Sequence, residues 1–339
     1  MKDDNRNDHE ERYNDFLNRA IQDFNASHTI SYNDQQQIIK KGRNTATKKN
    51  IMVSLAILLL IVPVMTLGTY LYYATGGKAN NLIEVGTSTI YVTEPNMSLE
   101  PMRINTDIGF FSMNMMFDIY KKIGRENYKV GDYDVYFAFD KPAFSEKNLV
   151  LERPLPEIPS KETESLIHPK VPIPAALYSQ WAILNGLPEG TVAEVHVSMS
   201  EIMTPKELEE LLGQDIEIRW LAVDTGLEQR QVDQEGVPIT PLGYPAQVDH
   251  TTWSPFNGED KTNAQVFMEM LTFLEKNEAV AEKIARAKSL ALKERISYIN
   301  DNGIRIYAAT VTGSTSELRD MEGNNKVRAI KVGEVKLWN

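Results

Sequence analysis

Residues 51–73, IMVSLAILLLIVPVMTLGTYLYY, run for 23 positions without a charge. As an α-helix rising about 1.5 Å per residue, such a stretch is about 34 Å long, slightly more than the hydrocarbon core of a bilayer. Leu and Ile fill its centre. Pro63 sits mid-span, where a transmembrane helix tolerates it better than a soluble one does. Tyr70, Tyr72 and Tyr73 gather at one end, as in an aromatic belt. A buried core helix is rarely apolar on every side for this length. A cleaved signal peptide fits no better, because the stretch starts 50 residues in, lacks an A-x-A site and exceeds a signal h-region. The stretch therefore predicts a single transmembrane helix.

The flanks predict its orientation. Lys40, Lys41, Arg43, Lys48 and Lys49 precede the span with no acid among them, whereas Lys78 stands alone between the span and Glu84. The positive-inside rule then places residues 1–50 in the cytoplasm and the C-terminal part outside. The roughly 265 residues beyond the span suffice for one large domain or two small ones. The chain has a net charge of −11, and all of the excess acid follows the span. That makes direct nucleic-acid binding a poor expectation. The chain has no cysteine, which removes disulfides, thiolate metal sites and cysteine nucleophiles. A disulfide-free outer part fits a bacterial wall space better than an animal ectodomain.

Within residues 1–50, Tyr13, Phe16, Leu17, Ala20, Ile21 and Phe24 recur at helical spacing and form one apolar stripe. Asp8 is the expected N-cap, with Glu11 three residues on. The pattern breaks over 25–32. A second helix is expected from Asp34 to Arg43, merging into the membrane helix. So short a segment cannot bury its own stripe. The aromatic rings of Tyr13, Phe16 and Phe24 and their aliphatic neighbours call for a groove on a partner, and these six residues are the candidate partner-binding site.

After the span, Gly76 and Gly77 loosen the exit. Residues 82–93, LIEVGTSTIYVT, read as a strand because of their β-branched content. Residues 106–122 read as an apolar helix ending at Gly124. Residues 128–139 alternate Tyr133, Val135, Phe137 and Phe139 against Asp134, Tyr136 and Ala138, as a half-buried strand does. Met113, Met115 and Met116 read as core filler rather than a soft-metal site. Seven prolines between Pro142 and Pro174 suggest a stiff linker or strap.

The distal part is better punctuated. A strand over 191–199 is expected to leave His196 on its polar face, solvated or hydrogen-bonded. Thr204-Pro205-Lys206-Glu207 forms a capping box opening a helix closed by Gly213. A strand follows at 215–224, then a loop rich in proline and glycine to residue 261. A helix from Thr262 presents Val266, Phe267, Met270, Leu271 and Leu274 on one face. An Ala-rich helix runs to Asn300, followed by a strand at 304–312, a second box at Ser314–Glu317 and a last strand at 327–337. The order predicts an α+β sandwich with helices over one sheet face. The expected organisation is 1–50 partner-binding tail, 51–73 transmembrane helix, 74–160 membrane-proximal segment and 161–339 outer domain.

No H-E-x-x-H, G-x-S-x-G, Walker or dinucleotide-binding motif is present. Asp249-His250 beside Trp253 is an isolated pair. No catalytic, metal-binding or cofactor-binding residue is assigned, and the chain is not read as an enzyme.

The stretch LPEGTVAEVHVSMSEIMTPKELEELLGQDIEIRWLAVDTG, starting at Leu187, resembles the C-terminal domain of the sigma factor regulator proteins. AATVTGSTSEL and VRAIKVGEVKLWN, within 308–339, resemble the end of that domain. The basic run, span and following segment resemble the family's N-terminal region. The resemblance implies a membrane-bound anti-sigma factor of a Gram-positive bacterium, holding an extracytoplasmic-function sigma factor at the inner membrane face under envelope stress. A second membrane regulator is a further implied partner. A membrane-tethered envelope protein whose outer domain binds a wall component is the other reading.

Overall fold

The computed structural model describes residues 4–28, 31–139, 141–154, 166–230, 232, 236–247, 254–256 and 260–337. The chain divides into two compact units, Met1–Val64 and Met65–Asn339.

The first unit is helical. Helix α1 spans Asp4–His28, and α2 runs from Tyr32 to Ala74, continuing into the second unit. The helix expected from Asp34 and the apolar stretch are therefore one element. The expected start at Asp8 is corrected, because α1 is already helical at Asp4 and its polar first turns extend the amphipathic segment. The described side chains of α2 up to Val64 are exposed. Among the described residues, one helix is long and apolar enough to cross a membrane.

The second unit is α+β. After a 3-10 turn at Thr75–Gly77 with both glycines at positive φ, helix α3 spans Lys78–Thr93. The strand expected at 82–93 is corrected by this helix. Its β-branched residues lie in the interior on almost every side: Val85, Thr89 and Val92 are fully buried, and Thr87, Ile90 and Thr93 nearly so. Thr89 donates to the Val85 carbonyl and Thr93 to the Thr89 carbonyl, each at 2.7 Å. Those bonds satisfy the hydroxyls within the helix, so tertiary burial overrides the strand propensity.

Four strands follow as an antiparallel meander: β1 Ser98–Gly109, β2 Ser112–Ile123, β3 Glu126–Ala138 and β4 Lys141–Leu149. The helix expected over 106–122 is corrected to two strands joined at Phe110-Phe111. The period is two: Met113, Met115, Phe117 and Ile119 are all fully buried, while Asn114, Met116 and Tyr120 are only partly so. Met113 and Met115 fill core, whereas Met116, on the other face, does not. Strand β3 has the alternation read for it, with Tyr133, Val135 and Phe137 inside. Phe139 lies past its end at positive φ. Pro142 belongs to edge strand β4, the position where a missing donor costs least.

The second sheet has five strands, β5 Thr191–Met203, β6 Glu217–Val223, β7 Leu242–Pro245, β8 Ile306–Ser314 and β9 Val327–Leu337. Their order is β7-β6-β8-β5-β9, with every pair antiparallel. Helix α5, Pro205–Leu212, carries the chain from β5 over to β6, and α9, Thr315–Arg319, carries it from β8 to β9. Each βαβ crossover therefore straddles a strand of the other. Both helices start on complete capping boxes, at Thr204–Glu207 and Ser314–Glu317.

Helix α4 spans Gln180–Asn185, and three further helices complete the unit: α6 Asn263–Glu275, α7 Glu278–Ile284 and α8 Leu292–Asn302. On α6 the buried residues are Val266, Phe267, Met270, Leu271 and Leu274, the face read from the sequence. The single Ala-rich helix is corrected to two. Arg286 and Ala291 take positive φ between α7 and α8, which turns Leu290 and Leu292 into the core. The freed Leu290 and Leu292 amides donate to Glu282 and Glu278 of α7, at 3.2 and 2.8 Å. One apolar cluster runs from Tyr73 through α3, the meander and the five-stranded sheet to Val332.

Candidate functional site: a bare helical stripe and a buried polar core

On α1 the expected partner-binding residues share one face. At about 100° per residue, Tyr13, Phe16, Leu17, Ala20, Ile21 and Phe24 fall within an arc of about 140°. All six are exposed: Tyr13 65%, Phe16 70%, Leu17 40%, Ile21 49% and Phe24 62%, with Ala20 in the same class. Arg19 pairs with Asp15 at 2.8 Å, one turn away along the helix. A helix with this much apolar surface in the open has unfinished packing.

The second unit contains a polar core that sequence reasoning did not assign. Lys121 of β2 and Glu194 of β5 form a bifurcated pair, with Nζ 2.9 Å from Oε2 and 3.2 Å from Oε1, and neither side chain touches solvent. Asn96 Nδ2 donates to Glu194 Oε1 at 2.8 Å, and Arg219 Nε donates to Asn96 Oδ1 at 3.2 Å. Beside them the buried Glu334 accepts from the Glu152 amide at 2.6 Å. Burial pushes its carboxyl above the ordinary carboxylate range, against that hydrogen bond and the charge of Lys121. His196 lies on the face of β5 expected to be polar. It is fully buried and bonded through Nδ1 to Thr310 at 2.9 Å, so the solvated alternative is corrected. That face is covered because Asn96, Lys121 and the Ile167 amide reach across it, the last bonding Ser198 at 2.9 Å.

A second buried group ties the loop after β6 to α8. Arg295 reaches Glu228 at 3.3 Å and the Thr240 carbonyl at 2.9 Å. Glu228 also accepts from Thr225 Oγ1 at 2.7 Å. Tyr298 donates to Asp224 at 2.9 Å, and burial raises its hydroxyl to about 12. Desolvation lowers the pKa of His168, with the Asp224 carboxylate opposing it. Arg295, Glu228, Asp224 and His168 are buried, and Tyr298 is partly exposed. Asp249, His250 and Trp253 lie outside the described residues.

A long apolar helix, an open amphipathic helix before it and an α+β unit after it fit a single-pass membrane protein. Two family models match the chain, sigma factor regulator N-terminal over residues 36–128 and sigma factor regulator C-terminal over 184–334. The chain belongs to the sigma factor regulator family. It is 29% identical over 337 residues to the "Probable anti-sigma-M factor YhdL" of Bacillus subtilis (strain 168), covering 97% of this chain and 90% of that protein. No solved structure matches it. The N-terminal model starts inside α2, so α1 and its stripe lie before both matched regions.

Proposed function

We propose that this chain is a membrane-bound anti-sigma factor. Its α1 stripe captures an extracytoplasmic-function sigma factor at the inner face of the membrane, and the unit beyond the span responds to the envelope. The relative's printed name supports the sigma-factor partner. The observation that carries the mode of capture is the open row of Tyr13, Phe16, Leu17, Ile21 and Phe24. Helix-in-groove recognition reads such i, i+3, i+4, i+7 anchors, with Ala20 giving close approach. On this reading residues 1–50 are cytoplasmic, 51–73 span the bilayer, and 74–160 and 161–339 lie outside as membrane-proximal segment and regulatory domain. A second membrane regulator is a candidate partner of the outer part.

Sidedness supports or sinks this reading. The five cations from Lys40 to Lys49 predict that a reporter active only in the cytoplasm, fused after Asn339, is silent, and that the same reporter before Met1 is active. Activity from the C-terminal fusion overturns the orientation and places α1 where no sigma factor is. Finding a sigma-factor gene directly upstream of this one would support the assignment independently.

A further inference from the structure

Two hairpin ends of the meander meet at the last turns of α2. The β1–β2 turn is Phe110-Phe111, closed by the pair Gly109–Ser112, and the β3–β4 turn follows the pair Ala138–Lys141 and begins at Phe139. Ser112 and Ala138 are themselves paired, so both turns lie at one end of the sheet. The Phe139 amide donates to the Phe111 carbonyl at 3.3 Å, joining the two tips. Phe111 and Phe139 both hold positive φ, 54° and 58°, a conformation that bulky residues rarely adopt.

The rings gather outside the core. Phe110 packs on Phe111 with centroids 4.3 Å apart, Phe111 on Phe139 at 5.3 Å, and Phe139 on Tyr72 at 5.4 Å. Yet Phe110 remains 47% exposed and Phe139 39%. The tips are also tied to the helix: the Phe111 amide donates to Thr69 Oγ1 at 3.1 Å, and Tyr73 donates to the Phe139 carbonyl. Thr69 is four residues short of the end of the uncharged stretch, about 6 Å along a helix axis. The exposed rings therefore sit at the depth where that stretch ends.

We propose that these two tips form a lipid-facing foot. Phe110 and Phe139 seat in the outer headgroup–acyl boundary beside Tyr72 and Tyr73. The proposal rests on residues 51–73 crossing the bilayer. Aromatic rings favour that boundary, where one side is apolar and the other wet. The charges fit it: Lys78 stacks over Tyr72 with Nζ 3.5 Å from the ring centroid, and Lys141 is exposed at the β4 end of its hairpin, both placed for phosphate headgroups. Asp107 stands three residues before Phe110, about 10 Å back along the strand. Asp140 lies outside the described residues. A foot of this kind fixes the tilt of the outer unit on the membrane, which a single helix with two glycines after it does not.

The chain has no cysteine, so single nitroxide labels can be placed without background. The full chain carrying Phe110→Cys, Phe139→Cys, Leu58→Cys or Val150→Cys is labelled and reconstituted in vesicles of phosphatidylethanolamine and phosphatidylglycerol. Collision with oxygen and with a water-soluble nickel chelate then gives depth. The expected result is Leu58 deep, Phe110 and Phe139 at the boundary, and Val150, 81% exposed at the opposite end of the sheet, in water. Labels at 110 and 139 as open to nickel as the Val150 label, with Leu58 deep, overturn the foot and leave the span standing. A Leu58 label in water overturns the span and the foot with it. Phe110→Trp and Phe139→Trp keep a ring at each tip. They are expected to gain quenching from lipids brominated near the top of the acyl chain, and absence of that gain in both overturns the foot even if a cysteine variant misfolds.

Discussion

Phe16→Asp is expected to abolish capture of the sigma factor and to raise transcription of its regulon to the level of a whole-gene deletion, with the protein's membrane level unchanged. Phe16 is 70% exposed in the centre of the stripe, so its replacement costs the free helix almost nothing. In a partner's groove, each buried aromatic or leucine side chain contributes about 1.5–3 kcal/mol. The aspartate adds an unpaired charge to the same groove, so the loss exceeds the transfer value alone. A loss of about 3 kcal/mol weakens binding more than a hundredfold. Asn18→Asp, off the stripe, is expected to leave basal transcription unchanged. Basal transcription in Phe16→Asp alongside derepression in the deletion would move the inhibitory contact elsewhere, most directly to the segment from Ile30 to Ile39.

Lys121→Met is expected to be the most damaging single change in the second unit. It takes the lysine away from the fully buried Glu194 carboxylate, to which Asn96 still donates. Breaking a buried pair by removing one partner typically costs about 3–5 kcal/mol. For a unit of this size each kcal/mol lowers Tm by about 2–4 °C, so thermal unfolding of the purified chain in detergent should fall by roughly 10 °C. The double variant Lys121→Met with Glu194→Leu removes both charges and is expected to recover much of that loss, because a well-packed apolar pair often matches a buried ion pair. Equal melting of Lys121→Met and the parent would mean that the pair is open to water in solution.

What was legible in the sequence had its cause nearby in the chain. The α6 face follows a 3.6-residue period, the helices after Thr204 and Ser314 are capped by residues three apart, and the α1 stripe repeats over three turns. What was not legible had its cause far away. Strand propensity in LIEVGTSTIYVT lost to burial of α3, where Phe117, from a strand outside the segment, packs against Gly86 so closely that a Cβ there would stand 2.8 Å from the ring. The period of two in β2 was masked by Met116 beside Met115 and by Lys121 at an inward position, where its partner Glu194 lies 73 residues away. His196 and Glu194 look like the wet side of a half-exposed strand until a distant segment covers them. Arg286 and Ala291 break an otherwise continuous helical pattern because Leu290 and Leu292 gain more by entering the core. The aromatic tips escaped notice for a similar reason. Phe110 and Phe139 are 29 positions apart, and only the meander makes them neighbours.

The most direct test of the central claim is affinity capture with residues 1–50 immobilised, using cytosol of the cell that makes the chain and mass spectrometry of what is retained. The account predicts that a sigma factor is retained by the parent segment and by Asn18→Asp, and lost with Phe16→Asp. A sigma factor retained by the full chain but not by residues 1–50, or retained equally by Phe16→Asp, would contradict it.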